Sequence, residues 1–182
     1  LAPASTYGAP DIGDYIDSCV RDGMRAARLL PQAHRYTLRT PGVDTLLEAL
    51  TARRIPLFIP IGHTSWNEIG PVARSHPGLK LLVESAGHHE YLNLRAALPW
   101  LEQCPNILVP TNRQFMAGGV ELLADRLGAH RLLFASGRPL EDPWASLGPL
   151  VMSRLPDEQR RLIAHGNLES LLDAAGQEEN TP

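Results

Sequence analysis

The chain has 182 residues, 43% of them hydrophobic, which suffices for one domain (residues 1–182) with a substantial core and excludes a disordered tail. Its net charge is −3 with acids and bases interspersed, so it lacks the basic footprint of a nucleic-acid binder or of a protein held on an anionic membrane. No apolar run approaches the length that spans a bilayer and no signal peptide is apparent, so a cytoplasmic protein is expected.

Residues 1–10 are rich in Pro, Ala, Ser and Gly, lack periodicity and read as a loop. From Asp11, which reads as an N-cap, Ile12, Tyr15, Ile16, Cys19 and Val20 recur at helical spacing until Gly23. A short strand over residues 26–30 is closed by Pro31. The cycle then repeats: a polar loop over 32–41, a helix over 43–54 burying Leu46, Leu47 and Leu50, and a strand over 56–61 closed by Gly62. A third unit has a helix over 67–75 burying Ile69, Val72 and Ala73, and a strand over 79–83. In the fourth, a helix over 91–103 is kinked or divided by Pro99, and the strand is 107–109. The fifth pairs a helix over 119–127, stopped by Gly128, with the strand Leu132-Leu133-Phe134. A helix over 143–152 and one opening at Pro156 follow, the latter with Asp157 and Glu158 near its positive end; residues 173–182 read as a flexible tail. Cys19 and Cys104 lie far apart in apolar helical patterns and are expected as buried thiols, with neither a disulfide framework nor a zinc knuckle.

Five apolar strands, each separated from the next by a helix, make an α/β protein with a parallel sheet. The strands start at residues 26, 56, 79, 107 and 132, so they recur every 23 to 30 residues, close to the unit length of a TIM-type (β/α)8 barrel. Pattern alone equally allows an open five-stranded, flavodoxin-like sheet.

Several motifs, in order, favour the barrel. Gly23-Met24-Arg25-Ala26-Ala27-Arg28-Leu29-Leu30-Pro31 leads from a helix into a strand, and Cys104-Pro105-Asn106-Ile107 leads into another. Leu132-Leu133-Phe134-Ala135-Ser136-Gly137 delivers a strand end to a polar loop, and Leu155-Pro156-Asp157-Glu158 opens a helix that ends in Gly166-Asn167 before Leu171-Leu172. Together these resemble the amidohydrolase-related barrels over most of the chain. The resemblance implies that the five strands are the fourth to eighth of such a barrel. The first three would then precede Leu1, so that a longer natural chain, or another chain as oligomeric partner, would supply them; a bare five-strand arc would expose its edges and inner face.

The resemblance also implies a divalent metal, zinc or manganese, held by His-x-His on strand one, His on strands five and six, and Asp on strand eight, at the C-terminal strand ends where barrel sites sit. In this chain the strand-five position is Pro60, with Gly62 closing the motif; the strand-six register gives Ser85-Ala86-Gly87 with Glu84 just before; and the strand-eight Asp is Gly137. The strand-four end, Leu29-Leu30-Pro31, has no carboxylate or lysine, and Lys80, the only lysine beside sixteen arginines, lies at the wrong end of its strand. Pro and Gly offer no side-chain donor, so the standard metal mechanism is not expected here.

Polar residues nonetheless gather past the strand ends. His63, Glu84 and His88 are the candidate catalytic or relocated metal-binding set, with His89 beside them, and two imidazoles plus a carboxylate are a set that divalent metals accept. The competing reading is that they are solvated loop residues. Thr111, Asn112 and Arg113 follow strand seven, and Ser136 and Arg138 flank Gly137; Arg113, Arg138 and Ser136 are the candidate substrate-binding residues, two guanidinium groups that can clamp a carboxylate or phosphate. Alternatively Arg138 pairs with Glu141 or Asp142 at the surface. His34, His76, His130 and His165 are expected in loops or on helix surfaces. No nucleophile elbow, phosphate-binding loop or dinucleotide fingerprint occurs, and Gly118-Gly119 reads as the turn before a helix. Two functional readings stand: a hydrolase of this lineage acting on a small organic substrate, or a barrel that has lost its metal and binds a small-molecule ligand or serves as a scaffold.

Overall fold

The computed structural model describes residues 11–84, 94–112, 117–139 and 141–177. The expected loop over 1–10, the start of the helix placed at 91, and the last residues of the tail lie outside them. Helix α1 (Ile12–Arg21) opens at Asp11, whose carboxylate accepts from the Gly13 amide at 2.6 Å and the Asp14 amide at 3.3 Å. That satisfies two of the amides a helix start leaves unpaired. Strand β1 (Ala27–Arg28), helix α2 (Val43–Ala52), strand β2 (Leu57–Pro60), helix α3 (Trp66–Ser75) and strand β3 (Leu81–Glu84) follow. Then come α4 (Leu94–Gln103), β4 (Ile107–Pro110), α5 (Gly119–Leu127) and β5 (Leu132–Leu133). Three helices close the chain: α6 (Pro143–Val151), α7 (Asp157–Arg161) and α8 (Asn167–Ala174). None of the described helices is long and apolar enough to cross a membrane.

All strand pairs are parallel, and their spatial order is that of the chain, β1-β2-β3-β4-β5. A flavodoxin-like sheet reverses direction and places its first strand inside the sheet, so the consecutive order excludes that alternative and leaves an unclosed arc of a barrel. Strand alternation sorts the side chains onto two faces. Leu57, Ile59, Leu81, Val83, Ile107, Val109 and Leu132 join the main core under the helices, with Leu46, Leu47 and Leu50 of α2 and Ile69 and Ala73 of α3. The other face carries Leu82, Leu108 and Leu133, packed with Phe58 and with Leu168 and Leu171 of α8.

Pro71 and Pro99 lie within α3 and α4, and neither divides its helix. Asn106, the motif residue before β4, is buried and its Nδ2 donates to the carbonyls of Ala73, His76 and Leu79, each at 3.0 Å, which ties the turn between α3 and β3 to the next unit. Arg131 is equally buried. Its guanidinium donates to the carbonyls of Leu101, Cys104 and Ile107 at 2.7–3.0 Å.

Several expectations need correction. Cys104 is buried, and burial raises its thiol pKa, but Cys19 is half-buried. His76, expected at a surface, is buried with Nδ1 3.3 Å from the Val72 carbonyl. The strands expected over 26–30 and 132–134 contract to two residues each; beyond β5 the Phe134 amide donates instead to the Ile163 carbonyl in a π-helical turn, Leu162–Gly166. Residues 173–177, read from sequence as the beginning of a tail, continue α8 through Ala174 into a turn where Ala175 is buried and the Gly176 amide donates to the Arg53 carbonyl at 2.8 Å. The helix therefore straps the sheet, from the Asn167 side chain bonded to the Ala129 and Leu132 carbonyls at one edge to the end of α2 at the other.

Candidate active site at the C-terminal strand ends

The register of the sheet decides which side chains meet. Arg28 lies level with Phe58, and Phe58 with Leu82; Pro60 lies level with Glu84. Because successive residues of a strand alternate faces, Phe58, Pro60, Leu82 and Glu84 share the inner face with Arg28. From one level below, the Arg28 guanidinium passes over the Phe58 ring, 5.9 Å from its centroid, and forms an ion pair with the Glu84 carboxylate, two strands away. A cation over an aromatic face is held there by the ring quadrupole. The Glu84 side chain is only 21% exposed, against 56% for Arg28. Burial raises the Glu84 pKa, and the Arg28 charge opposes that without cancelling it.

The sequence alignment of motifs placed Ser85 at the strand-six ligand position; residue 85 lies outside the described residues. Pairing of Pro60 with Glu84 puts the carboxylate itself at the level of the strand-five position. In the sequence Arg28 stands out only as part of a fold motif. Its position one residue before the buried Leu29 in a strand was the available signal, since it obliges Arg28 to face the opposite side.

His63 ends a 3-10 turn, Ile61–His63, that extends β2. Its Nδ1 accepts from the Ala33 amide at 3.3 Å and its carbonyl from the Gln32 amide at 3.2 Å, so it fastens the loop after β1 to the end of β2. His88 and His89 lie outside the described residues, as does Arg113. Among the described residues no group of three His, Cys, Asp or Glu side chains converges as a metal site.

Beyond β4, Thr111 is buried and its amide donates to the Leu133 carbonyl at 2.7 Å, while Thr111 Oγ1 and Asn112 Oδ1 are buried without a hydrogen-bond partner among the described residues. Buried oxygens in that state call for a donor from elsewhere, a neighbouring segment, water or ligand. Beyond β5, Ser136 Oγ accepts from the Arg138 amide at 3.4 Å, so this hydroxyl shapes the local turn. Of the alternative partners for Arg138, Asp142 instead caps α6 by accepting from the Trp144 amide at 3.0 Å.

Glu141 has a different place. Gly137 has φ +72°, and a Cβ on it would overlap the Glu141 carboxylate, whose own amide donates to the Gly137 carbonyl at 3.1 Å. The space over Gly137 that a side chain would fill thus holds a carboxylate from four residues on. From the sequence alone Glu141 is a surface partner for Arg138, and nothing local signals its place over Gly137. Near the same end of the strands, burial pushes the Tyr36 phenol up to about 12. His34 stacks with Tyr36, with ring centroids 6.4 Å apart, and His165 pairs with Glu169 on its own helical stretch.

Comparison with known proteins follows the same outline. A family model described as Amidohydrolase matches residues 7–173. An uncharacterized TIM-barrel protein from Bordetella bronchiseptica superposes with a TM-score of 0.72 at 18% identity, over 89% of this chain and 62% of that one. The 2,6-dihydroxybenzoate decarboxylase from Rhizobium gives 0.65 at 14% identity, over 88% and 66%. For 5-carboxyvanillate decarboxylase from Sphingomonas paucimobilis the values are 0.62 and 14%, over 88% and 61%. At these identities the likeness is one of fold, and the chain spans somewhat less than two thirds of each of these structures. Comparison with curated proteins returns no match. With the family model covering all five β/α units, the chain belongs to the amidohydrolase family.

Proposed function

We propose that this chain forms strands four to eight of a hydrolase-superfamily barrel that acts on a small organic acid at its C-terminal mouth, with Arg28 and Glu84 as the central pair. The observation that carries this is the Arg28–Glu84 ion pair on the inner face, spanning three strands. A carboxylate whose pKa is raised by burial beside one specific cation, at a strand end, is the environment in which proton-transfer groups are found. An incoming substrate carboxylate competes for the Arg28 fork, and Glu84, relieved of its counter-ion, becomes more basic, takes a proton from a water that attacks an ester or amide carbonyl elsewhere in the acid, and returns it to the alcohol or amine as that C–O or C–N bond breaks. Glu141 supplies a second carboxylate over Gly137. That two of the solved structures sharing the fold are decarboxylases of aromatic carboxylic acids supports the choice of substrate class.

The side chains do not fit a divalent metal at the positions the family resemblance implies, because Pro60 and Gly137 carry no donor and Glu84 is held by Arg28. No step here runs through zinc or manganese. The same observation favours a second reading, a barrel that binds its organic acid without turning it over. In either case the protein is a cytoplasmic one, with the preceding strands of the barrel or a partner chain completing the wall.

The test is calorimetry and a hydrolase screen of the full-length protein with substituted benzoates and their amides and esters, with metal content measured alongside. Saturable binding with turnover that Glu84→Gln abolishes, while Arg28→Gln mainly raises KM, is the expected result. Binding without turnover establishes the second reading. Stoichiometric metal lost in His63→Ala, or no binding of any acid, would overturn the assignment.

A further inference from the structure

A cavity of about 530 Å³ lies at the opposite end of the strands from the mouth. It is bordered by the turns leading into β2, β3, β4 and β5 and by α8. Pro105, Leu108, Leu171 and Ala174 give it an apolar wall. Its charged lining is entirely basic: Arg54, Lys80, His130 and Arg131 contribute, and no described lining residue carries a carboxylate. The Arg131 guanidinium is occupied by the three carbonyls it caps and contributes only its positive potential.

The other three side chains come from three different turns, and among the described residues none of them is engaged by a hydrogen bond or ion pair. Arg54 holds φ +52°, a left-handed conformation at the end of α2 where glycine would sit without strain. Lys80, the chain's only lysine, immediately precedes β3. The His130 ring is set against Gly128, so closely that a Cβ there would overlap it. Three basic groups from separate turns bordering one cavity exceed what one carboxylate needs and match a dianionic phosphate, for which Arg supplies the fork and Lys the point charge. The volume exceeds that of an inorganic phosphate and falls within the range of small-ligand pockets, and the apolar wall calls for an organic group.

We propose that this cavity binds an organic phosphate monoester, its phosphate held by Arg54, Lys80 and His130 and its organic group against Pro105, Leu108, Leu171 and Ala174. The site is remote from the mouth and independent of the activity proposed there.

Phenyl phosphate, inorganic phosphate and phenol, titrated by calorimetry into the full-length protein, test it. Phenyl phosphate is expected to bind one to one, about tenfold tighter than inorganic phosphate, with no saturable binding of phenol. Lys80→Gln and Arg54→Gly should each weaken phenyl phosphate binding by about tenfold, the loss of a hydrogen bond to a charged group. Arg54→Gly should not lower the melting temperature, which separates lost binding from lost folding, and Arg28→Gln should leave the affinity unchanged. No saturable binding of phenyl phosphate would overturn the proposal. So would equal affinities for phenyl and inorganic phosphate, or binding that survives Lys80→Gln and disappears in Arg28→Gln, which would place the anion at the mouth.

Discussion

Replacing Asn106 by alanine probes how the β/α units are fastened to one another. Its side-chain amide has two hydrogens shared among three carbonyls, those of Ala73, His76 and Leu79, all at 3.0 Å and buried with it. Two net hydrogen bonds contribute about 1 kcal/mol each, and leaving buried carbonyls without a donor adds to the loss, so Asn106→Ala is expected to destabilise by about 2–4 kcal/mol. For a domain of this size that lowers the melting temperature by roughly 4–16 °C. Asn106→Asp has the same shape but points a carboxylate at three carbonyl oxygens. It should be worse than alanine at neutral pH. The folded-state pKa of that new carboxyl is raised, so its deficit shrinks as pH falls and the protonated acid recovers one donor. Urea unfolding of the full-length protein at neutral and acidic pH measures both effects. An alanine variant within about 0.5 kcal/mol of wild type, or an aspartate variant no worse than alanine, would refute the account of Asn106 as the fastener.

Three further outcomes follow from the geometry. Burial holds the Glu84 pKa above the ordinary carboxylate range, so between the unfolded and folded values the native state keeps a proton that the unfolded chain has lost, and stability falls as pH rises through that window. Glu84→Gln should flatten this decline at pH values above the ordinary glutamate pKa of about 4.3, and parallel profiles for variant and wild type would contradict it. Gly137→Ala is expected to cost about 1–2 kcal/mol from its left-handed backbone, with an added clash against Glu141; in a double-mutant cycle Glu141→Ala should recover the clash part, and strict additivity would show that the two do not touch. Asp11→Ala removes the cap of α1 and should lower stability by about 1 kcal/mol in thermal unfolding, with asparagine a near-neutral replacement.

Much of the scaffold was legible because its signals are local. Asp11 as N-cap, Gly128 as the stop of α5, and the apolar stripe Leu46-Leu47-Leu50 each depend on residues within one or two turns. The strand ends were less legible. Phe134 has the composition of a strand residue, yet its amide is claimed by a carbonyl in the π-helical turn near residue 163. Candidate residues were sought past the C-terminal ends of the strands, since that follows from the barrel itself. Their roles did not follow. His63 and Ser136 turned out to be engaged by backbone amides of nearby loops, and Asp142 by the start of α6.

The sequence by itself determined the order of strands and helices, the parallel α/β class, the family, and the absence of side-chain donors at Pro60 and Gly137. These are properties of periodicity and residue type. Only the tertiary structure decided that Glu84 stands level with Pro60, that Arg28 meets it from 56 positions away, that Glu141 fills the space over Gly137, and that Arg54, Lys80 and His130 border one cavity. Those meetings depend on strand register and on how far each turn carries its side chain across the sheet. A shift of one residue in register would send Glu84 to the opposite face while leaving every local pattern in the sequence unchanged.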